Sequence, residues 1–172
     1  MAMNYYVVHA YRRRCGGAAT RVVVWVAGIA CALILVAVLW HASAMARLSD
    51  LKGATMAHAQ DLAWGVVMYA QDNDDLLPPT MDSVGQMRPI LYTYVESLDS
   101  DVTTNPAGGQ FLGNQNIAGA RMPDGALLTA IPTLYESRAW ADDRRAVTWL
   151  DGHAGMQLHF DPAHDLKDIH GK

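Results

Sequence analysis

The residues best suited to chemistry lie near the C-terminal end, where His153, His159, His164 and His170 are interspersed with Asp161, Asp165 and Asp168. Imidazole nitrogen and carboxylate oxygen together ligate zinc or nickel, and His153, His159, Asp161 and His164 are the candidate ligands. A specific site requires a fixed geometry; the other reading is a solvated polar terminus spanning residues 161–172. The run Asp72-Asn73-Asp74-Asp75 offers oxygen ligands for calcium. A calcium loop of the helix–loop–helix type places oxygens at positions 1, 3 and 5, Gly at 6 and Glu at 12. Counted from Asp72, Leu76, Leu77 and Ser83 occupy the last three of these, so that pattern fails and a helix end with a solvated turn is expected. No Ser/His/Asp ordering, phosphate-binding glycine loop, dinucleotide glycine box or paired-Cys zinc spacing occurs. Catalysis is therefore not expected and no resident cofactor is implied, with calcium or a transition metal the open alternative.

The elements that must carry these residues begin with an uneven distribution of apolar side chains. The 172 residues are 51% hydrophobic and 17% charged, against about 25% charged in average chains. The excess is concentrated in Val22–Trp40, VVVWVAGIACALILVAVLW, which has no polar side chain. As a helix rising about 1.5 Å per residue, this segment nearly matches a hydrocarbon core about 30 Å thick. No second such stretch exists, which excludes a multi-span transporter. Ala42-Ser43-Ala44 follows the segment like a signal-cleavage site, but the apolar run is longer than a typical signal core. A retained anchor is the expectation.

Charge gives the anchor a direction. Residues 1–47 hold five arginines (Arg12, Arg13, Arg14, Arg21 and Arg47) and no acid, whereas residues 48–172 hold eight bases and seventeen acids, within a net charge of −4. Positive charge stays on the cytoplasmic side, so residues 1–21 are expected inside as a basic arm, 22–40 in the membrane and 41–172 outside. Trp25 and Trp40 fall near the two interfaces. The acidic outer portion would repel phosphates, which excludes nucleic acid as a partner; membrane lipid is the expected one.

Beyond Trp40 the helical pattern continues. Leu48, Leu51, Thr55, His58, Leu62, Val66 and Tyr69 recur at three- and four-residue steps, forming one stripe of a helix from about Arg21 to about Asp72. Gly53 and Gly65 weaken it by up to about 1 kcal/mol each relative to Ala. Pro78-Pro79 cannot continue it. Residues 89–98 suggest a short helix with Pro89 in its first turn, residues 99–125 loops or short strands, and Thr133–Glu136 a strand. Ala146–Leu150 and His153–Leu158 flank Asp151-Gly152, predicting a hairpin with a type I′ turn. Trp64, Trp140 and Trp149 suit core or sheet packing.

A long N-terminal helix, half apolar throughout, followed by a small antiparallel sheet resembles the architecture of type IV pilin-like proteins. Leu62–Pro79, with its Tyr-Ala-x-Asp-x-Asp run and apolar-Pro pair, resembles the segment after the membrane helix in prepilin-like proteins related to type II secretion pseudopilins. Pro132–Ser137 followed by Ala146–His153 looks like the C-terminal hairpin of the prepilin-type processing-associated domain, whose signature is His, nine residues, then Asp-Gly-His. Phe111–Gly119 resembles a further segment of that domain. The signature histidine is replaced by Ala141, while Asp151, Gly152 and His153 remain. The leader also departs: Gly17 precedes Ala18 rather than Phe, and Val22 stands where the family has Glu.

The resemblance implies an α+β fold with a pilin-like domain over residues 41–160, in a single-pass protein of the bacterial inner membrane with its domain in the periplasm. It implies a non-catalytic pseudopilin-like component of a type II secretion or type IV pilus-like system. Its partners would be other pilin-like or secretion-system subunits, met along the apolar segment and at Leu48, Leu51, Leu62, Val66 and Tyr69. The alternative is a monomeric membrane-anchored binding module that kept the fold without filament assembly, which the altered leader favours.

Overall fold

A computed structural model of the protein describes residues 4–95 and 105–166. The chain divides into two units, residues 1–48 and 49–172. The boundary lies further along the helix than residue 41, because burial begins only at Leu51 and Lys52.

Helix α1 runs Asn4–Asp72. It starts well before the expected Arg21, since the basic arm contains helix-forming Ala and Arg and no proline. In the first unit Val22–Trp40 is exposed along its whole length, Trp25 at 73% and Trp40 at 77%. Among the described residues α1 is the helix long and apolar enough to cross a membrane by length and composition.

The second unit is α+β. The last turns of α1 bury Thr55, Ala59, Leu62, Ala63, Val66, Val67 and Ala70. Leu62 and Val66 join Phe111, Leu134, Ala146 and Leu150 in one hydrophobic core. The sheet is an antiparallel meander in the order β1 (Phe111–Gly113), β2 (Pro132–Glu136), β3 (Arg144–Trp149) and β4 (Ala154–Leu158). Leu134 pairs with Thr148 and Ala146 with Met156. β-strand alternation puts Leu134, Glu136, Ala146 and Thr148 on the face toward the core.

The acidic run closes α1 as expected, and it does so with aspartates where glycine is usual. Asp74 and Asp75 both take positive φ, 56° and 62°, a conformation that short polar side chains tolerate better than most. The Asp75 amide donates to the Ala70 carbonyl at 2.9 Å, and Asn73 Nδ2 donates to the Tyr69 carbonyl at 2.8 Å.

Helix α2 spans Val84–Leu91, earlier than the 89–98 expected. Ser83 caps it, its hydroxyl accepting from the Gln86 amide, and Pro89 sits inside rather than at the start. The proline preference for a first turn was outweighed by Ser83 and by the burial of Val84, Met87 and Leu91. Residues 96–98 of the expected helix lie outside the described residues. Within residues 161–172, Pro162–Asp165 forms the short helix α3 with Asp161 as its cap; 167–172 lie outside the described residues.

Gly65, expected to weaken the helix, is where Val95 approaches it. A Cβ there would lie 2.3 Å from Val95 Cγ2, whereas one at Gly53 would meet nothing within 4 Å. Substitution by alanine should therefore have opposite signs. Gly53→Ala gains up to about 1 kcal/mol of helix propensity. Gly65→Ala gains the same but incurs an overpacking cost of about 1–3 kcal/mol. Chemical denaturation of the folded domain should show Gly53→Ala neutral or stabilised and Gly65→Ala destabilised.

Candidate functional site

The hairpin carrying Asp151-Gly152-His153 forms, but its turn differs from the type I′ expectation. The Gly152 amide donates to the Trp149 carbonyl at 3.0 Å and the Trp149 amide to the His153 carbonyl at 3.0 Å, so the loop is Leu150-Asp151-Gly152. Only Gly152 is left-handed, at φ +83°, the arrangement of a longer loop closed by a glycine bulge. The reason lies outside the hairpin. The Leu150 amide donates to the Ile131 carbonyl at 3.3 Å and the Asp151 amide to the Leu128 carbonyl at 3.2 Å, tying the tip to the preceding loop. The Trp64 ring of α1 lies over Gly152, 3.1 Å from where a Cβ would be.

Each motif side chain has a local task. Asp151 Oδ1 accepts from the His153 amide at 3.1 Å and contacts the His153 ring nitrogen Nδ1. That ring stacks on Trp149 with centroids 4.2 Å apart and planes 5° from parallel. The Asp-Gly-His sequence thus orders the tip of a hairpin docked on α1 through Trp64.

The four candidate metal ligands do not come together. His153 pairs with Asp151 at the tip, His159 Nδ1 with Asp143 Oδ2 at the opposite end of the hairpin, and His164 Nδ1 with Asp161 Oδ2 at 2.8 Å beside α3. Among the described residues no three His, Cys, Asp or Glu side chains converge on a point. Spacing in sequence was misleading because β4 carries His153 and His159 to opposite ends of a strand. Asp161 is held below the usual carboxylate range by the His164 contact and the Ala163 amide. His170 and Asp168 lie outside the described residues.

The expected helix-packing residues are also divided. Leu62 and Val66 have no exposed surface and belong to the domain's own core, so they cannot meet a partner subunit. Leu51 and Tyr69 are half-buried, Tyr69 lying edge-on to Tyr94 with centroids 6.2 Å apart. Leu48 is exposed at 40%.

A polar junction that the sequence reading passed over lies where α1 meets the β2–β3 connection. Glu136 is fully buried, and its Oε2 accepts from Trp140 Nε1 and from the Ala146 amide, each at 2.8 Å. Among the described residues its Oε1 has no partner. Lys52 Nζ reaches Asp142 Oδ2 at 2.6 Å and sits 5.5 Å from the centroid of the Trp140 ring. Arg145 Nη1 donates to the Glu136 and Ser137 carbonyls at 3.0 and 2.6 Å. The available signal was period-2 alternation, which puts Glu136 on the core side with Leu134. Asn114, just after β1, is likewise buried, donating from Nδ2 to the Pro132 carbonyl at 2.9 Å.

Chemically, the junction joins helix to sheet. The Glu136 carboxylate receives two donors and is shut off from solvent, so it fixes the course of the chain between Glu136 and Ala146. Comparison with protein-family models, with curated proteins and with solved structures found no match for this chain.

Two measurements check this account. Trp140→Phe removes one of two donors from a buried carboxylate and should cost about 1–3 kcal/mol in denaturant unfolding. Lys52 hydrogen-bonds Asp142 and holds its carboxyl below the ordinary value of 3.8. A depressed acid stabilises the fold above its unfolded value and loses that contribution as pH falls through its folded one. Because the pair is exposed, Lys52→Met should lower stability by at most about 1 kcal/mol at neutral pH. The share of that difference owed to Asp142 should disappear in strong acid.

Proposed function

We propose that this chain is a non-catalytic, pseudopilin-like component of a type II secretion or type IV pilus-like assembly. It is anchored in the bacterial inner membrane with its N-terminus in the cytoplasm and its α+β unit in the periplasm. One observation carries the reading: the helix that buries a stripe in a small antiparallel meander also bears the exposed apolar segment Val22–Trp40. Sequence adds the arginines before that segment, the excess of acids after it, and family-like segments in order along the second unit. With Leu62 and Val66 committed to the domain's own core, the surface offered to other subunits is the apolar segment and Leu48.

A second reading, a monomeric anchored binding module, is favoured by Val22 at the position where the family has glutamate. In lipid an unpaired charge is expensive, so a glutamate there signals a partner able to neutralise it; valine asks for none.

Carbonate washing of membranes should leave the protein in the pellet, and a periplasm-dependent reporter fused after Lys172 should be active. Replacing Arg12, Arg13 and Arg14 with asparagine should reduce that activity. Co-expression with a secretion or pilus assembly machine should incorporate the chain into pelletable filaments. An anchored protein that never co-purifies with other pilin-like subunits would leave the binding-module reading in its place.

A further inference from the structure

The two edges of the sheet differ. On the β1 side, Leu112 bridges Ser83 and the Gly113 amide donates to the Asp82 carbonyl at 3.0 Å, so that edge is occupied. On the β4 side no strand follows among the described residues. The register defines what this open edge presents. The Trp149 amide bonds the His153 carbonyl and the His159 amide bonds the Asp143 carbonyl, fixing both ends of the β3–β4 ladder. Antiparallel alternation then turns Gly155 and Gln157 toward β3, and turns the amides and carbonyls of Ala154, Met156 and Leu158 outward. Among the described residues nothing pairs with them.

Open edges are ordinarily blunted by Lys, Pro or a bulge. Ala154–Leu158 contains no charge and no proline, and its pairing with β3 is regular. The outward groups are also symmetric about Met156. If a second β4 is laid antiparallel with Met156 opposite Met156, Ala154 faces Leu158 and Gly155 faces Gln157. Every outward amide and carbonyl then finds a partner, and on either side of the central Met156 pair a small side chain opposes a large one.

We propose that the chain forms a two-fold dimer in which β4 pairs antiparallel with β4 of a second copy, centred on Met156. Such an isologous contact needs only one self-complementary patch. The pairing is limited to this segment, because Gly152 at one end and His159 (φ 54°) at the other leave the extended conformation. The proposal stands apart from the pseudopilin reading, since it concerns the sheet edge alone.

Disulfide trapping in membranes tests it, using the full chain with Cys15→Ser and Cys31→Ser as background. In the paired register the two Met156 Cα atoms lie about 5.5 Å apart, inside disulfide range. The two Leu158 positions lie about 14 Å apart, four strand residues out of register. Met156→Cys should therefore give a dimer on a non-reducing gel, and Leu158→Cys roughly tenfold less or none. Leu158→Pro removes an outward amide while leaving the β3 ladder intact. Added to Met156→Cys it should cut trapping roughly tenfold, with the unfolding midpoint of the domain confirming that it folds. Equal trapping at both positions, no trapping at Met156, or trapping indifferent to Leu158→Pro would overturn the proposal. Filament incorporation of the parent chain in the same membranes would leave the pseudopilin reading standing in any of those cases.

Discussion

Thr55, Ala59, Leu62, Ala63, Val66 and Ala70 have almost no exposed surface, and they recur along one face of the last turns of α1. A short antiparallel meander whose first strand is Phe111–Gly113 has little independent stability and needs a partner layer to bury its apolar face. This stripe is that layer. Each large side chain in it contributes on the order of 1.5–3 kcal/mol through removal from water. Ala59 and Ala70 are part of the core cluster, and Gly65 admits Val95. Without the stripe, the core that holds Phe111, Leu134 and Leu150 would lose Ala59, Leu62, Val66 and Ala70.

Polar groups follow from that packing. Once the core face of β2 is covered, Glu136 is buried with it, and its carboxylate must find donors within the domain. Trp140 Nε1 and the Ala146 amide supply them. The same loop brings Asp142 to Lys52 on α1, so a buried and an exposed contact hold one junction. At the hairpin tip, Trp64 on Gly152 fastens the far side.

Sequence patterns were most informative where one local rule governed one element. The stripe from Leu48 to Tyr69 showed the second half of α1, the Asp-Gly pair showed the β3–β4 hairpin, and Thr133–Glu136 showed most of β2. Misreadings arose where distant contacts chose between local options. Pro89 suggested a helix start, but Ser83 and the burial of Met87 set it earlier. Asp151-Gly152 suited a two-residue turn, but Leu128 and Ile131 hold the tip in a longer one. The histidines looked clustered because sequence distance hides the length of β4. The Glu136–Trp140 contact was missed for the converse reason: alternation could place Glu136 on the core side and Trp140 suits packing, but only the fold of the β2–β3 connection puts indole against carboxylate.

The tryptophans divide between the two units. Trp25 and Trp40 lie exposed at either end of the apolar segment, whereas Trp140 is 4% exposed and bonded to Glu136. Indole emission depends on the polarity around the ring, so a change at the apolar segment and a change in the α+β core carry separate optical signatures. Were the apolar segment to enter a bilayer, the surroundings of Trp25 and Trp40 would change, whereas Trp140 reports on the packing around Glu136. Loss of the α+β core exposes Trp140, whereas Trp25 and Trp40, which have no part in that core, do not register it.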